Sequence, residues 1–280
     1  MHKAKKSLGQ NFLKSEIALR QIIEAGEIKS DDVILEIGPG KGALTSKLLE
    51  KAKTVIAIEK DRELFEFLKI KFEKEIKMNT LILVCEDILE FDINEVLKVR
   101  NYKIIANIPY NITGAILKKF LTEKNQPEMM VLMVQHEVAT RIIARDGKES
   151  ILSISVKAYG EPKLIAKVDK RYFSPAPKVN SAIISIKNIS RKNFPPLLVE
   201  EGVGGGDSKK NHLALKGTPP SKGGEDKFWQ IVKAGFAHKR KKLSSNLKNV
   251  CQRDTLTSLG NKRAEDLSLA NWIELTKSLK

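Results

Sequence analysis

A chain of 280 residues, 41% of them hydrophobic, can bury a substantial core and has room for one large domain and a smaller one. Fifty Lys and Arg against 34 Asp and Glu leave a net charge of +16, which favours polyanionic partners and disfavours acidic ones. Two distant cysteines, Cys85 and Cys251, give neither a disulfide framework nor metal-ligand spacing; the basic start at residues 1–6 has no apolar run behind it, and the longest apolar stretch, 129–134, has only a strand's length. These features predict a cytoplasmic protein with reduced thiols, no metal and no membrane span.

In chain order, short Val- and Ile-rich runs at 33–37, 54–58, 81–85, 103–106 and 129–134 are predicted strands, followed by 163–168 and 181–186. Several are apolar at consecutive positions, as strands covered on both faces of a parallel sheet are. Between them lie amphipathic stretches such as 61–75, where Leu64, Phe65, Leu68 and Phe72 share one helical face. This alternation predicts βαβ units and a Rossmann-like α/β sheet over residues 1–189. The segment 150–159 is ambiguous by periodicity. Residues 194–226 are rich in Pro and Gly with no sustained apolar period, which predicts a disordered insertion. Beyond it the pattern turns helical again, so 190–280 is read as a small all-helical domain carrying that insertion.

The first long strand runs into Glu36-Ile37-Gly38-Pro39-Gly40-Lys41-Gly42. Glycines at alternate positions let the backbone turn sharply and let a ligand approach closely. Glu59, about twenty residues on, ends the next strand, where an acid can accept from ribose hydroxyls. The pattern predicts an adenosine-containing cofactor at the carboxyl edge of the sheet. The spacing is G-x-G-x-G rather than the G-x-G-x-x-G of pyrophosphate sites, and the nearby acids suit S-adenosyl-L-methionine, a cation without phosphate. Asp87, after the third of these strands, is placed to read the adenine amino group. Glu36 also reads as a buried structural acid, and Asp87 as a plain helix cap before Ile88-Leu89.

The fourth strand ends in Asn107-Ile108-Pro109-Tyr110. An adenine N6 amine is a poor nucleophile because its lone pair is conjugated into the ring. Acceptors around its two hydrogens, the Asn107 side-chain oxygen and the carbonyl before Pro109, pull it toward a tetrahedral form. Pro109 stiffens the turn, and Tyr110 offers a stacking face. The same tetrapeptide also reads as a tight turn without function.

With these residues in hand, the chain resembles the ribosomal RNA adenine N6,N6-dimethyltransferase family, and within it the bacterial small-subunit (16S rRNA) branch. The resemblance is carried by Leu8-Gly9-Gln10-Asn11-Phe12-Leu13, by the glycine turn, Glu59, Glu86-Asp87 and Asn107-Ile108-Pro109-Tyr110, and by Phe173-Ser174-Pro175-Ala176-Pro177-Lys178-Val179-Asn180-Ser181. It implies a class I S-adenosylmethionine-dependent methyltransferase with a seven-stranded sheet, a helix at 150–159, and Asn11, Leu13, Gly38, Glu59, Asp87 and Asn107 around the cofactor. It further implies that Asn107, Pro109 and Tyr110 serve the target adenine and that Phe173 stacks on it from the other side. The implied substrate is a pair of adjacent adenosines in the 3′-terminal hairpin of 16S rRNA, each dimethylated within the immature 30S subunit by a monomeric enzyme.

Lys239, Arg240, Lys241 and Lys242 form the densest basic cluster, within 235–247, and read as RNA contacts or as a solvated face. Lys3, Lys5 and Lys6 are a weaker RNA candidate. The chain departs from the family in Glu149-Ser150, where Tyr-Gly is frequent, and in the insertion. The homologous large-subunit (23S) adenine N6-methyltransferases that give macrolide resistance share the site motifs; the 235–247 pattern and Arg263-Ala264-Glu265-Asp266-Leu267 favour the small-subunit type. A non-catalytic ribosome assembly factor would have no need of Glu59, Asn107 and Tyr110.

Overall fold

The structure, a computed structural model, describes residues 4–5, 8–93, 101–194, 222–250 and 256–277. Strands β1 (Phe12–Leu13), β2 (Val33–Ile37), β3 (Thr54–Glu59), β4 (Leu81–Cys85), β5 (Lys103–Asn107), β6 (Met129–Gln135), β7 (Glu161–Val168), β8 (Phe173–Ser174) and β9 (Ser181–Lys187) alternate with helices. Seven of them form one sheet in the order β4-β3-β2-β5-β6-β9-β7. The five strands from β2 to β6 pair in parallel, while β9 runs antiparallel to both β6 and β7.

Burial follows from position in the sheet. In β6 the run from Met129 to Val134 is buried throughout, because helices cover both faces of a central strand. In the edge strand β7 the pattern alternates, with Glu161, Lys163, Ile165 and Lys167 exposed, and Pro162 is tolerated where no further strand needs its N–H. The predicted helix over 61–75 is two helices, Arg62–Lys71 and Glu73–Lys77, with Phe72 between them at φ −114° and ψ 30°. Leu64, Leu68 and Phe72 are buried as their spacing predicts; Phe65 is half-buried beneath the Lys69 ammonium. The segment ambiguous by periodicity is helical over Ile151–Lys157.

The chain divides into two compact units, Met1–Asp146 with Ser155–Ser190, and Gly147–Ile154 with Arg191–Lys280. The first contains the seven-stranded sheet. In the second, Phe194 meets Phe228 edge to face at 5.4 Å, and Phe236 stacks on the buried Trp272 at 5.5 Å. Gly235 has no room for a side chain against that indole. Of the predicted insertion, residues 195–221 lie outside the described residues. Its two ends differ from the expectation: Phe194 is a core residue, and 222–226 are the first turns of the helix Lys222–Gly235. No helix among the described residues is long and apolar enough to cross a membrane.

Sheet order positions the site. From β2 the chain steps outward through β3 and β4, then returns to lay β5 against the other side of β2. The carboxyl ends of β2 and β5 therefore open side by side with their following loops diverging, which leaves a crevice at the switch point.

Candidate active site

The glycine turn fills one side of that crevice. The Gly38 N–H donates to the Ile58 carbonyl at 2.9 Å, and the Gly40 N–H to the Glu59 carboxylate at 3.1 Å. The other Glu59 oxygen accepts from the Asp61 N–H at 2.9 Å. Gly42 sits at φ +75°, and a Cβ there would come within 2.5 Å of the Phe72 ring, so the turn packs directly on that ring. From the same side the Lys71 ammonium donates to the Lys41 carbonyl at 2.8 Å. Backbone, acid and lysine together hold the turn from behind.

One pocket at this edge is lined by Asn11, Leu13, Gly38, Glu59, Asp87 and Asn107, all the residues expected around a cofactor, and by Pro109 and Tyr110. Glu36, Lys41, Lys60 and Glu86 line it too. Asp87 accepts from the Leu89 N–H at 3.0 Å and from the Lys60 ammonium at 2.6 Å, so it caps the next turn and faces the pocket at once. Burial pushes the Glu59 carboxyl above its usual range, against the pull of the Asp61 and Gly40 N–H groups.

The N-terminal segment forms the pocket's outer wall, and no sequence period announced how it is fastened. Strand β1 pairs antiparallel with β8, Phe12 opposite Ser174 and Leu13 opposite Phe173. The Gln10 amide donates to Asp61 at 2.8 Å, and Lys5 pairs with Asp61 at 2.8 Å and Glu63 at 2.9 Å. Lys5, expected as a minor RNA contact, is thus bound to carboxylates of its own chain. The Lys41 ammonium lies 4.9 Å from the centre of the Phe12 ring.

On the crevice's other side, the Asn107 amide donates to the Asn11 carbonyl at 3.3 Å, which leaves its Oδ1 as an acceptor. The Tyr110 hydroxyl bonds to the Ser181 hydroxyl, and this fixes the ring at the rim. Phe173, expected to stack on the target base, lies under cover. Its ring is 3% exposed and belongs to the core cluster with Leu13, Val168 and Ile183 rather than to the pocket lining. The β1–β8 pairing covers it. Phe173→Ala should therefore lower folding stability by about 3 kcal/mol or more, and Tyr110→Phe, which keeps the half-buried ring and loses only the bond to Ser181, by about 1 kcal/mol; urea titrations of both variants check this.

Glu36 is 1% exposed, and one of its carboxyl oxygens has no hydrogen-bond partner among the described residues. Burial pushes its pKa up to about 8; Thr45, beside it, pulls the other way without closing a bond of normal geometry, and Glu59 adds to the rise. An acid whose folded pKa lies above its unfolded value costs no stability while protonated in both states, at pH below the ordinary carboxyl value. From there up to about pH 8 the unfolded chain loses its proton first, so stability falls as pH rises. Glu36→Gln should remove a slope of up to about 1.4 kcal/mol per pH unit in that window. Thermal melts of wild type and variant between about pH 5 and 8 read it out.

In the second unit, Lys239, Arg240, Lys241 and Lys242 lie between the helices Lys222–Gly235 and Leu243–Asn246, and all four are exposed. The Asn246 amide braces this turn by donating to the Gly235 carbonyl at 2.6 Å and the His238 carbonyl at 3.1 Å. Lys242 also reaches the Asn261 side-chain oxygen at 3.3 Å.

Comparison with known proteins adds an independent line. A family model described as ribosomal RNA adenine dimethylase matches residues 1–197. Among curated proteins, a ribosomal RNA small subunit methyltransferase A from Fusobacterium nucleatum is 38% identical over 98% of this chain and 97% of its own length. Proteins of the same name from Dehalococcoides mccartyi (strain CBDB1) and Acaryochloris marina are 37% and 35% identical, over 98% and 100% of this chain and 87% and 98% of their own. Among solved structures, a dimethyladenosine transferase from Plasmodium falciparum superposes with a TM-score of 0.71 at 26% identity, covering 94% of this chain and 95% of that one. The 23S rRNA methyltransferase ErmE, at 24% identity and the same TM-score over 96% of this chain and 99% of its own, shares the fold.

Proposed function

The chain belongs to the ribosomal RNA adenine dimethylase family, and from that premise we propose that it dimethylates N6 of two adjacent adenosines in the 3′-terminal hairpin of 16S rRNA during small-subunit maturation. The observation that carries the chemistry is the meeting of two half-sites at one crevice: an acid-lined turn after β2 and an Asn-Ile-Pro-Tyr loop after β5.

The acid-lined half suits S-adenosyl-L-methionine. Glu59, Glu86 and Asp87 line the pocket beside Glu36, which is protonated below about pH 8, and its lysines are committed elsewhere, Lys60 to Asp87 and Lys41 to the Phe12 ring. A nucleotide phosphate placed there would face these carboxylates, whereas a cationic nucleoside is attracted to them. Glu59 retains acceptor capacity for the ribose hydroxyls, Asp87 for the adenine amino group, and Gly38, Asn11, Leu13 and Asn107 supply the walls. When bound, the cofactor supplies a methyl group on a sulfonium, which leaves as sulfur takes the bonding pair.

The second half prepares the acceptor. Asn107 Oδ1 and the Ile108 carbonyl accept from the two N6 hydrogens and draw the nitrogen toward a tetrahedral form; Pro109 holds that carbonyl in place and Tyr110 stacks on the base. The amine proton becomes acidic once the new bond forms, so a dedicated general base is unnecessary. The adenosine must leave its stack to enter, and aromatic contact offsets that cost. Lys239, Arg240, Lys241 and Lys242 contact rRNA phosphates. The enzyme acts as a monomer in the cytoplasm, on immature 30S subunits.

Mass spectrometry of rRNA nucleosides from cells with and without the gene decides the substrate: loss of dimethyladenosine from the small-subunit RNA is expected, and loss from the large-subunit RNA alone contradicts the proposal. Glu59→Ala should abolish cofactor binding in calorimetry and leave RNA binding largely intact; equal loss of both would remove Glu59 from the cofactor site. Replacing Lys239, Arg240, Lys241 and Lys242 together with Ala should lower the log–log salt slope of RNA binding by up to about 3. An unchanged slope excludes that patch.

A further inference from the structure

The turn that carries Asp87 is pinned by two lysines from different elements. Its backbone is closed by the Glu90 and Phe91 N–H groups, both donating to the Asp87 carbonyl at 2.9 Å. Lys119, on the helix Thr113–Thr122, donates to the Leu89 carbonyl at 3.1 Å and the Phe91 carbonyl at 2.6 Å, which fixes the far end. Lys60, directly after β3, pairs with one Asp87 oxygen at 2.6 Å while the Leu89 N–H occupies the other at 3.0 Å. Both Lys60 and Asp87 line the pocket.

We infer that Lys60 is a positioning residue for cofactor selection: it fixes the Asp87 carboxylate in one orientation and in its acceptor-only form, so that the pocket takes a 6-aminopurine and rejects a 6-oxopurine. The inference rests on the reading that Asp87 meets the cofactor's adenine amino group. A carboxylate clamped on both oxygens cannot turn to suit another edge. While ionised it can only accept, which matches the two hydrogens of an amino group and repels a carbonyl oxygen. Lys60 is the foremost cause of the Asp87 carboxyl lying below its ordinary range, opposed by partial burial and aided by the Leu89 N–H and by Lys119; the Glu90 charge in turn helps to hold Lys60 protonated. Hydrogen bonds to an ionised partner are short and strong, and this one closes on the carboxylate that would meet the base edge.

The experiment titrates S-adenosylhomocysteine and its deaminated analogue S-inosylhomocysteine into the full chain by calorimetry. Lys60→Met should weaken the adenosyl ligand by about threefold to tenfold and shrink its advantage over the inosyl ligand. Its affinity should also fall away at higher pH than in wild type, because the carboxyl protonates sooner without its cation. Lys60→Arg should restore both properties. Lys60 is 58% exposed on its side chain, so the melting temperature of the ligand-free protein should not move. Wild-type affinity, discrimination and pH profile in Lys60→Met overturn the inference, provided Asp87→Asn loses them. If Asp87→Asn also binds both ligands as wild type does, the adenine contact itself has been misplaced, and the role of Lys60 falls with it.

Discussion

The Glu59 carboxylate accepts one hydrogen bond from the Gly40 N–H and another from the Asp61 N–H, and the remaining geometry of the cofactor half follows from that pair. The first bond pulls the glycine turn against the end of β3, which gives a phosphate-free turn a definite shape. The second sets the backbone where Asp61 begins the helix Arg62–Lys71 and where its side chain receives Gln10 and Lys5. One buried acid thereby joins the turn, the helix start and the N-terminal wall. Its burial makes the charge costly, and backbone N–H groups, which need no side-chain ordering, offset that cost.

Much of this was legible in the sequence, for identifiable reasons. Several of the strands from β2 to β6 appear as consecutive apolar positions because the sheet interior is covered on both faces, and a run such as 129–134 has few other uses in a chain this charged. That Gly38, Glu59, Asp87 and Asn107 share one edge was readable because each ends or closely follows a strand, and parallel strands send their carboxyl ends to one edge. The β1–β8 pairing was not readable. Two residues on each side carry no period, and the partners are separated by about 160 positions of chain. The cover over Phe173 was unreadable for the same reason: its motif says that the segment matters, while only the pairing says how the residue is covered. The break at Phe72 also escaped, since the apolar spacing continues across it and only the backbone angle records the interruption.

Charge is distributed by task rather than evenly. The chain's excess of cations suggests a basic surface everywhere, yet several lysines of the first unit are bound to acids or carbonyls of their own fold. Lys103, at 7% exposure, holds Asp32 at 2.7 Å and the Glu27 carbonyl at 2.8 Å at the opposite edge of the sheet from the pocket. Lys71 and Lys119 are spent on backbone carbonyls. The count of fifty Lys and Arg therefore overstates the cations open to a polyanion, while the run from Lys239 to Lys242 is exposed throughout.

Asn107 shows why the two half-sites form one site. Its amide nitrogen donates to the Asn11 carbonyl, on the N-terminal segment that also walls the cofactor pocket. An amide has one nitrogen and one oxygen on a single plane, so a partner for the first fixes the direction of the second. On the proposed function, the oxygen that accepts from the target amine is thus aimed by the same segment that encloses the methyl donor. Were that segment drawn away from the sheet, the Asn107 side chain would lose this constraint and could present its nitrogen to the amine instead, donor against donor. Order in the N-terminal segment is therefore a condition for an acceptor site of the right polarity, and a base entering a pocket without it would meet a turn of the right shape with its key atom undirected.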